Sequence, residues 1–254
     1  MTQLIENIKD WRSLRGELAK ENKSVGFVPT MGALHEGHSS LVRKSKSEND
    51  VTLVSIFVNP TQFEDSQDLE KYPRTLVEDL KRLESDGADY VLFPRAEDMY
   101  ADKYQYQVVE NILSRDLCGA HRPGHFQGVL TVVLKLLNIA EAHRAYFGEK
   151  DFQQYVLIRG MAEAFFLKTE IVPCPTVREQ DGLAMSSRNT RLSSDDRQRA
   201  TLFPELLEHT TNPEEITRRL IDRGFFVDYI EEKWGRRFGA VRLGDVRLID
   251  NVKI

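Results

Sequence analysis

Apolar residues along this chain follow two different rhythms. Leu4, Ile8, Trp11, Leu14 and Leu18 recur at helical spacing and predict one leading amphipathic helix. Short continuous apolar runs follow: Val25-Gly26-Phe27-Val28, then Val51 to Val58 with only Thr52 and Ser55 interrupting, then Tyr90 to Phe93. Runs of this kind, rather than strict alternation, are expected of strands covered by helices on both faces. Pro60 ends the second run, because it has no N–H to give a central strand. Between the runs, helical patterns cover 39–46, 74–85 and about 126–142, and another leads from Gly148-Glu149-Lys150-Asp151 to about Phe166. Further strands are predicted at 145–147, 170–172 and 176–177. The alternation predicts an α/β fold with a doubly wound, mostly parallel sheet.

The pattern changes near Asp181-Gly182 and stays polar and charged to the end. Helices are predicted over 194–208 and 213–223, with strands over 225–230, 240–243 and 246–249. We therefore expect a larger domain over 1–180 and a small α+β domain over 181–254. A domain that small buries little surface alone and should lean on the larger one.

Bulk properties narrow the class. Of 254 residues, 41% are hydrophobic and 30% charged, which is ordinary for a globular chain. A net charge of −5 argues against a duplex nucleic-acid partner. The most apolar helical pattern, Val129 to Ala140, is broken by Lys135 and Asn138, so no membrane span is expected. Met1 to Lys20 carries charges throughout and lacks the apolar core of a secretory signal. Cys118 and Cys174 fit neither a disulfide framework nor a zinc knuckle, and a cytoplasmic location is expected.

Candidate chemistry gathers where strands give way to helices, the carboxyl edge at which open α/β sheets bind ligands. After the first apolar run come Pro29-Thr30-Met31-Gly32-Ala33-Leu34-His35-Glu36-Gly37-His38. Exposed amides and the positive end of a helix dipole suit phosphate, and histidines three apart share one helical face. A metalloprotease motif would need them four apart around a glutamate, and neither a Gly-x-Gly-x-x-Gly turn nor a Walker phosphate loop is present. The arrangement suggests an enzyme acting on a nucleoside triphosphate; the alternative is that one histidine caps a loop and the other is packed, hydrogen-bonded scaffold.

Lys150 in the second turn is a point charge suited to polyphosphate, while Asp151 can cap the helix or bind ribose or magnesium. The same segment also fits an ordinary helix start with a solvated charge cluster. A third stretch, Arg178 to Asn189, includes Met185-Ser186-Ser187-Arg188, whose hydroxyls, amides and guanidinium suit phosphate. Its place at the expected domain junction fits a mobile flap or a plain polar linker. Asn59 and Gln62 follow the second strand, and Gln154 is placed to face them with another neutral amide. Arg122 to Gly128 fits either a pocket wall or a connection.

Taken together these blocks resemble the pantoate–β-alanine ligase (pantothenate synthetase) family, adenylate-forming members of the His-x-Gly-His nucleotidylyltransferase group. The matching blocks are PTMGALHEGH at 29–38, SIFVNPTQF at 55–63, YPRTLVED at 72–79, RPGHFQGV at 122–129, YFGEKDFQQ at 146–154, DGLAMSSRN at 181–189 and GDVRLIDN at 244–251. They stand in the family's order across nearly the whole chain.

The resemblance implies a Rossmann-like N-terminal domain and a small C-terminal domain closing over the nucleotide. It implies ATP-driven condensation of pantoate with β-alanine through a pantoyl-adenylate, with Mg2+ and a homodimer. Carried over by position, Met31, Gly32, Ala33, Leu34, His35, Glu36, Gly37 and His38 line the ATP site. Gly148, Glu149, Lys150, Asp151, Val177, Met185, Ser186, Ser187 and Arg188 hold the rest of the nucleotide. His38, His35, Lys150, Ser187 and Arg188 are the catalytic set; Gln62 and Gln154 bind pantoate, with Gln62 also beside β-alanine. A transferase of the same group, adenylyl or cytidylyl, would use the same histidine turn and stop at a nucleotidyl product. A module that only senses nucleotide would bind ATP and release nothing. The chain departs from the family between Ile230 and Ala240, where Trp234-Gly235-Arg236-Arg237 stands for a longer strand and loop, so a reduced C-terminal lid is expected.

Overall fold

Six strands of the larger sheet pair in parallel in the order β1-β4-β3-β2-β5-β6. They are β1 (Gln3–Ile5), β2 (Val25–Thr30), β3 (Val51–Ile56), β4 (Tyr90–Leu92), β5 (Arg144–Gly148) and β6 (Glu170–Cys174). The computed structural model describes residues 2–63 and 69–254. They form two compact units: Met1–Gly148 with Gln153–Cys174, and Glu149–Phe152 with Pro175–Ile254.

From β2 the chain winds outward through β3 to β4, then returns past β2 to β5 and β6, so the switch point lies between β2 and β5. Phe27, Val28, Leu53, Val54, Val91 and Ala145 on the central strands are wholly buried, as a sheet covered on both faces requires. On one side the helices Ile8–Lys20 and His125–Ala140 pack together, and Trp11 Nε1 donates to the Ile139 carbonyl at 2.9 Å. On the other, Leu41, Val42 and Leu83 of the helices Glu36–Glu48 and Leu76–Asp86 pack on Val28, Val54 and Val91. Among the described residues no helix is long and apolar enough to cross a membrane.

The second unit holds an antiparallel sheet of β7 (Phe226–Lys233), β8 (Arg236–Leu243) and β9 (Val246–Lys253). Phe203, Leu207, Ile216, Leu220 and Val241 are its wholly buried core. The segment expected to be shortened is a two-residue hairpin turn in which Trp234 (φ 51°) and Gly235 (φ 67°) are both left-handed. Such turns match the twist of the strands they join. Arg236 and Arg237, which follow, are buried strand residues rather than loop.

Three expectations about elements are corrected. Leu4 belongs to β1, not the first helix; Asn7 caps that helix, its side chain accepting from the Lys9 amide, so the helix starts at Ile8. Residues 176–177 are outside β6, which ends at Cys174; beyond it Arg178 and Ala184 make one isolated antiparallel bridge. The helix expected over 194–208 is two, Ser194–Ala200 and Leu202–His209. Pro204 explains the break, since it lacks an N–H and its ring would crowd the carbonyl of Ala200.

Candidate active site

The histidine turn leaves β2 and enters the helix Glu36–Glu48. Gly32 (φ 78°) and Ala33 (φ 51°) turn the chain through the left-handed region, which for a residue with a Cβ costs about 1–2 kcal/mol. Asp79, almost wholly buried, offsets that strain by accepting the Ala33 amide at 3.0 Å and the Leu34 amide at 2.8 Å. The Gly32 amide goes to Thr30 Oγ1 at 3.2 Å. The amides of Gly32, Ala33 and Leu34 are thus satisfied by the protein, which leaves the imidazoles as the candidate anion donors of this turn.

The two rings cap the helix reciprocally. His38 Nδ1 accepts the His35 amide at 3.3 Å, and His35 Nδ1 accepts the Gly37 amide at 3.1 Å. An amide only donates, so each neutral ring carries its proton on Nε2 and is a donor there. The ring centroids are 4.1 Å apart. Two N–H donors side by side at a helix N-terminus suit the oxygens of a phosphate gaining charge.

The second cluster follows β3, which neighbours β2 in the sheet. Buried Asn59 donates to Gln62 Oε1 (3.1 Å) and to the Gly128 carbonyl (3.2 Å). Its own Oδ1 accepts from Tyr100 at 2.6 Å. Burial pushes the Tyr100 phenol's pKa up, which keeps that donor protonated. Gln62 Nε2 reaches Met31 Sδ at 3.1 Å, so a pantoate candidate lies at the edge of the histidine turn. His125 Nδ1 donates to the Gln62 carbonyl at 2.9 Å, and Arg122 joins it at 3.3 Å. The Arg122–Gly128 turn therefore anchors Gln62 instead of merely connecting elements.

Gln153 and Gln154 differ in kind. Gln153 is buried, donates to the carbonyls of Leu113 and Asp116 and accepts the Cys118 amide. Gln154 is half-buried, as a side chain bordering a cleft would be.

Glu149, Lys150 and Asp151 belong to the second unit, while Gly148 closes β5 in the first. Lys150 Nζ lies 3.6 Å from Asp151. Met185 donates its amide to the Val177 carbonyl at 3.0 Å, which sets these two nucleotide candidates side by side. Ser186 caps the short turn Ser187–Arg191, accepting the Arg188 amide at 3.2 Å. Both this turn and the lysine turn pack on β9. Arg197 pairs with Glu179 at 2.7 Å and, by hydrogen bonding, holds the Asp181 carboxyl below its ordinary range, bracing this stretch. Burial works against the charge on Arg178, yet its hydrogen bonds to Asp250 carry the net shift upward.

The structure thus brings Met31 to His38 and Gln62 together in the first unit, and Glu149 to Asp151, Val177 and Met185 to Arg188 around β9 and its neighbours in the second. Sequence reasoning gave no role to Asp79 or Asn251; each closes one of the family-like blocks, 72–79 and 244–251, which was the available signal. Among the described residues, no group of three or more His, Cys, Asp or Glu side chains is placed to hold a metal ion.

The model of the family described as pantoate-beta-alanine ligase matches residues 3–253. A pantothenate synthetase of Bdellovibrio bacteriovorus is 52% identical over 254 residues, covering all of both chains. The Trp234–Arg237 segment is therefore no truncation relative to it. One of Coxiella burnetii is 50% identical over 252 residues, covering 99% of this chain and 97% of its own. The crystal structure of a Francisella tularensis pantoate-beta-alanine ligase, complexed with βγ-ATP and β-alanine, superposes with TM-score 0.95 at 44% identity, covering 100% and 98% of the two chains. That of a Thermus thermophilus pantothenate synthetase superposes with TM-score 0.88 at 37% identity, covering 99% of each. With this likeness running the whole length of the sequence and the sheet, the chain belongs to the pantoate–β-alanine ligase family.

Proposed function

We propose that this chain condenses pantoate with β-alanine through a pantoyl-adenylate, releasing pyrophosphate and then AMP. The observation that carries the reading is full-length likeness to a ligase crystallised with βγ-ATP and β-alanine.

A carboxylate is a poor acyl donor because its oxygen leaves badly and its charge repels nucleophiles. Transfer to AMP gives the acyl carbon a good leaving group. In the first step a pantoate carboxylate oxygen attacks the α-phosphorus, and the bond to the bridging oxygen breaks as pyrophosphate leaves. The Nε2–H groups of His35 and His38 face that charge development, joined by Lys150, Ser187 and Arg188. Gln62 and Gln154 orient pantoate, with Gln62 also serving β-alanine. In the second step the β-alanine amine attacks the acyl carbon, the acyl–phosphate bond breaks, AMP departs and the nitrogen gives up a proton to solvent. Mg2+ would enter with the nucleotide substrate and would offset charge on its phosphate oxygens.

A homodimer and a cytoplasmic setting complete the reading. The exposed apolar side chains of Tyr106, Val109 and Ile112 support the first, and two buried cysteines outside any disulfide support the second.

The decisive experiment supplies ATP and magnesium, adds pantoate and then β-alanine, and follows pyrophosphate and AMP separately. Pyrophosphate should depend on pantoate and AMP release on β-alanine. Pyrophosphate without AMP would make the chain a nucleotidyltransferase; release of neither would leave a nucleotide sensor.

A further inference from the structure

Lys150 is flanked by residues that a distant strand holds in place. Asn251 on β9, only 3% exposed, donates Nδ2 hydrogens to the carbonyls of Glu149 at 2.8 Å and Lys150 at 3.0 Å. Its Oδ1 accepts from Arg236 at 2.7 Å. Arg236, 6% exposed, pairs with the Glu149 carboxylate at 2.8 Å and lays its guanidinium 4.1 Å above the Phe152 ring. Glu149 and Phe152 therefore fix the two ends of the turn while Asn251 fixes its carbonyls. The strand beneath is fastened too. Asp250 takes two hydrogen bonds from Arg178 (2.6 and 3.0 Å) and receives the Asn251 amide at 2.8 Å.

An apolar side chain would fill this space but could not orient two consecutive carbonyls. A carboxamide whose donors and acceptor are both engaged does so at a defined angle. We infer that Asn251, supported by Arg236, is a positioning residue for Lys150 in the adenylate-forming step. It holds the turn so that the ammonium meets the departing pyrophosphate without rearrangement at the moment of reaction. The inference rests on the reading above that Lys150 serves the triphosphate.

Asn251→Asp tests it, because the variant keeps the side chain's size and its acceptor for Arg236 but replaces the donors with an oxygen that repels both carbonyls. Pantoate-dependent pyrophosphate release should slow by about tenfold to a hundredfold in kcat, with pantoate Kd unchanged. In a Lys150→Ala background there is no ammonium left to position. The double variant should therefore match Lys150→Ala within about twofold. Losses that multiply, or a wild-type rate in Asn251→Asp, would overturn the inference while sparing the role of Lys150. A Lys150→Ala enzyme as fast as wild type would remove that role and the inference together. If Asn251→Asp does not fold, the same cycle is run with Asn251→Ser, which is smaller and keeps one donor.

Discussion

Asp79 and Leu34 are 45 residues apart in sequence, yet the Leu34 amide donates to the Asp79 carboxylate at 2.8 Å. The same carboxylate takes the amide of left-handed Ala33. One buried acid thus holds the backbone from which both imidazoles are hung. Asp79→Ala should strand two amides and lower stability by about 2–4 kcal/mol. Asp79→Asn retains one acceptor and should fold, but with pyrophosphate release reduced about tenfold by a displaced histidine turn. Denaturant unfolding and single-turnover rates check both; a fully active Asp79→Asn enzyme would refute the tether.

Gly128 presses against the pantoate candidate from beneath. A Cβ built there would lie 2.4 Å from the Thr61 carbonyl oxygen and 2.8 Å from the Gln62 nitrogen. These are backbone atoms and cannot rotate away. Gly128→Ala should cost about 1–3 kcal/mol of stability and weaken pantoate binding, while ATP affinity is retained. Calorimetric titration of the two ligands separates the effects.

Strand-rich regions were legible in the sequence because helices cover both sheet faces, which leaves apolar runs such as Val51 to Val58 without ambiguity. β1 was not, since a three-residue edge strand offers too short a pattern to separate Leu4 from the helical series beside it. The candidate histidines, lysine and glutamines stand out by their chemistry at the ends of strands. Their supports did not. Asp79 sits in an amphipathic helix where an acid reads as a solvated face, and Asn251 lies in a strand whose neighbour in space is 102 residues away. Such residues are defined by tertiary geometry, and spacing carries no trace of it.

His38 caps its helix and, in the proposed mechanism, also donates to the developing charge; substitutions can divide these roles. His38→Ala should lower turnover by about 10² or more through loss of the donor. It should also cost about 0.5–2 kcal/mol through loss of the acceptor for the His35 amide. His38→Asn offers a side-chain oxygen to that amide and should regain stability without regaining turnover. Near-wild-type turnover in either folded variant would remove His38 from the chemistry.

Tyr146 supplies a pH-dependent contribution to stability away from the site. Burial, reinforced by its hydrogen bond to Glu48, pushes its phenol up to about 12. A phenol whose folded value exceeds its unfolded one stabilises fully below the unfolded value and loses that contribution as pH rises between the two. The alkaline edge of stability should thus fall from about pH 10 upward. Tyr146→Phe should flatten that edge, and absorbance titration of tyrosinate should lose a component near pH 12.

Two adjacent glutamines give the sharpest separation of scaffold from proposed site. Gln153 ties the Leu113–Cys118 segment to its helix through two carbonyls and one amide, all within 3.0 Å. Removing it leaves those groups unpaired in a buried place, so Gln153→Ala should lose about 2–4 kcal/mol of stability. In whatever fraction remains folded, pantoate binding should be close to wild type. Gln154, half-buried one position on, points a different way around the helix and makes no such demand on the core. Gln154→Ala should melt within a few degrees of wild type while pantoate capture weakens and ATP binding persists. Titrations showing ATP affinity lost and pantoate affinity kept would reverse the pocket assignment.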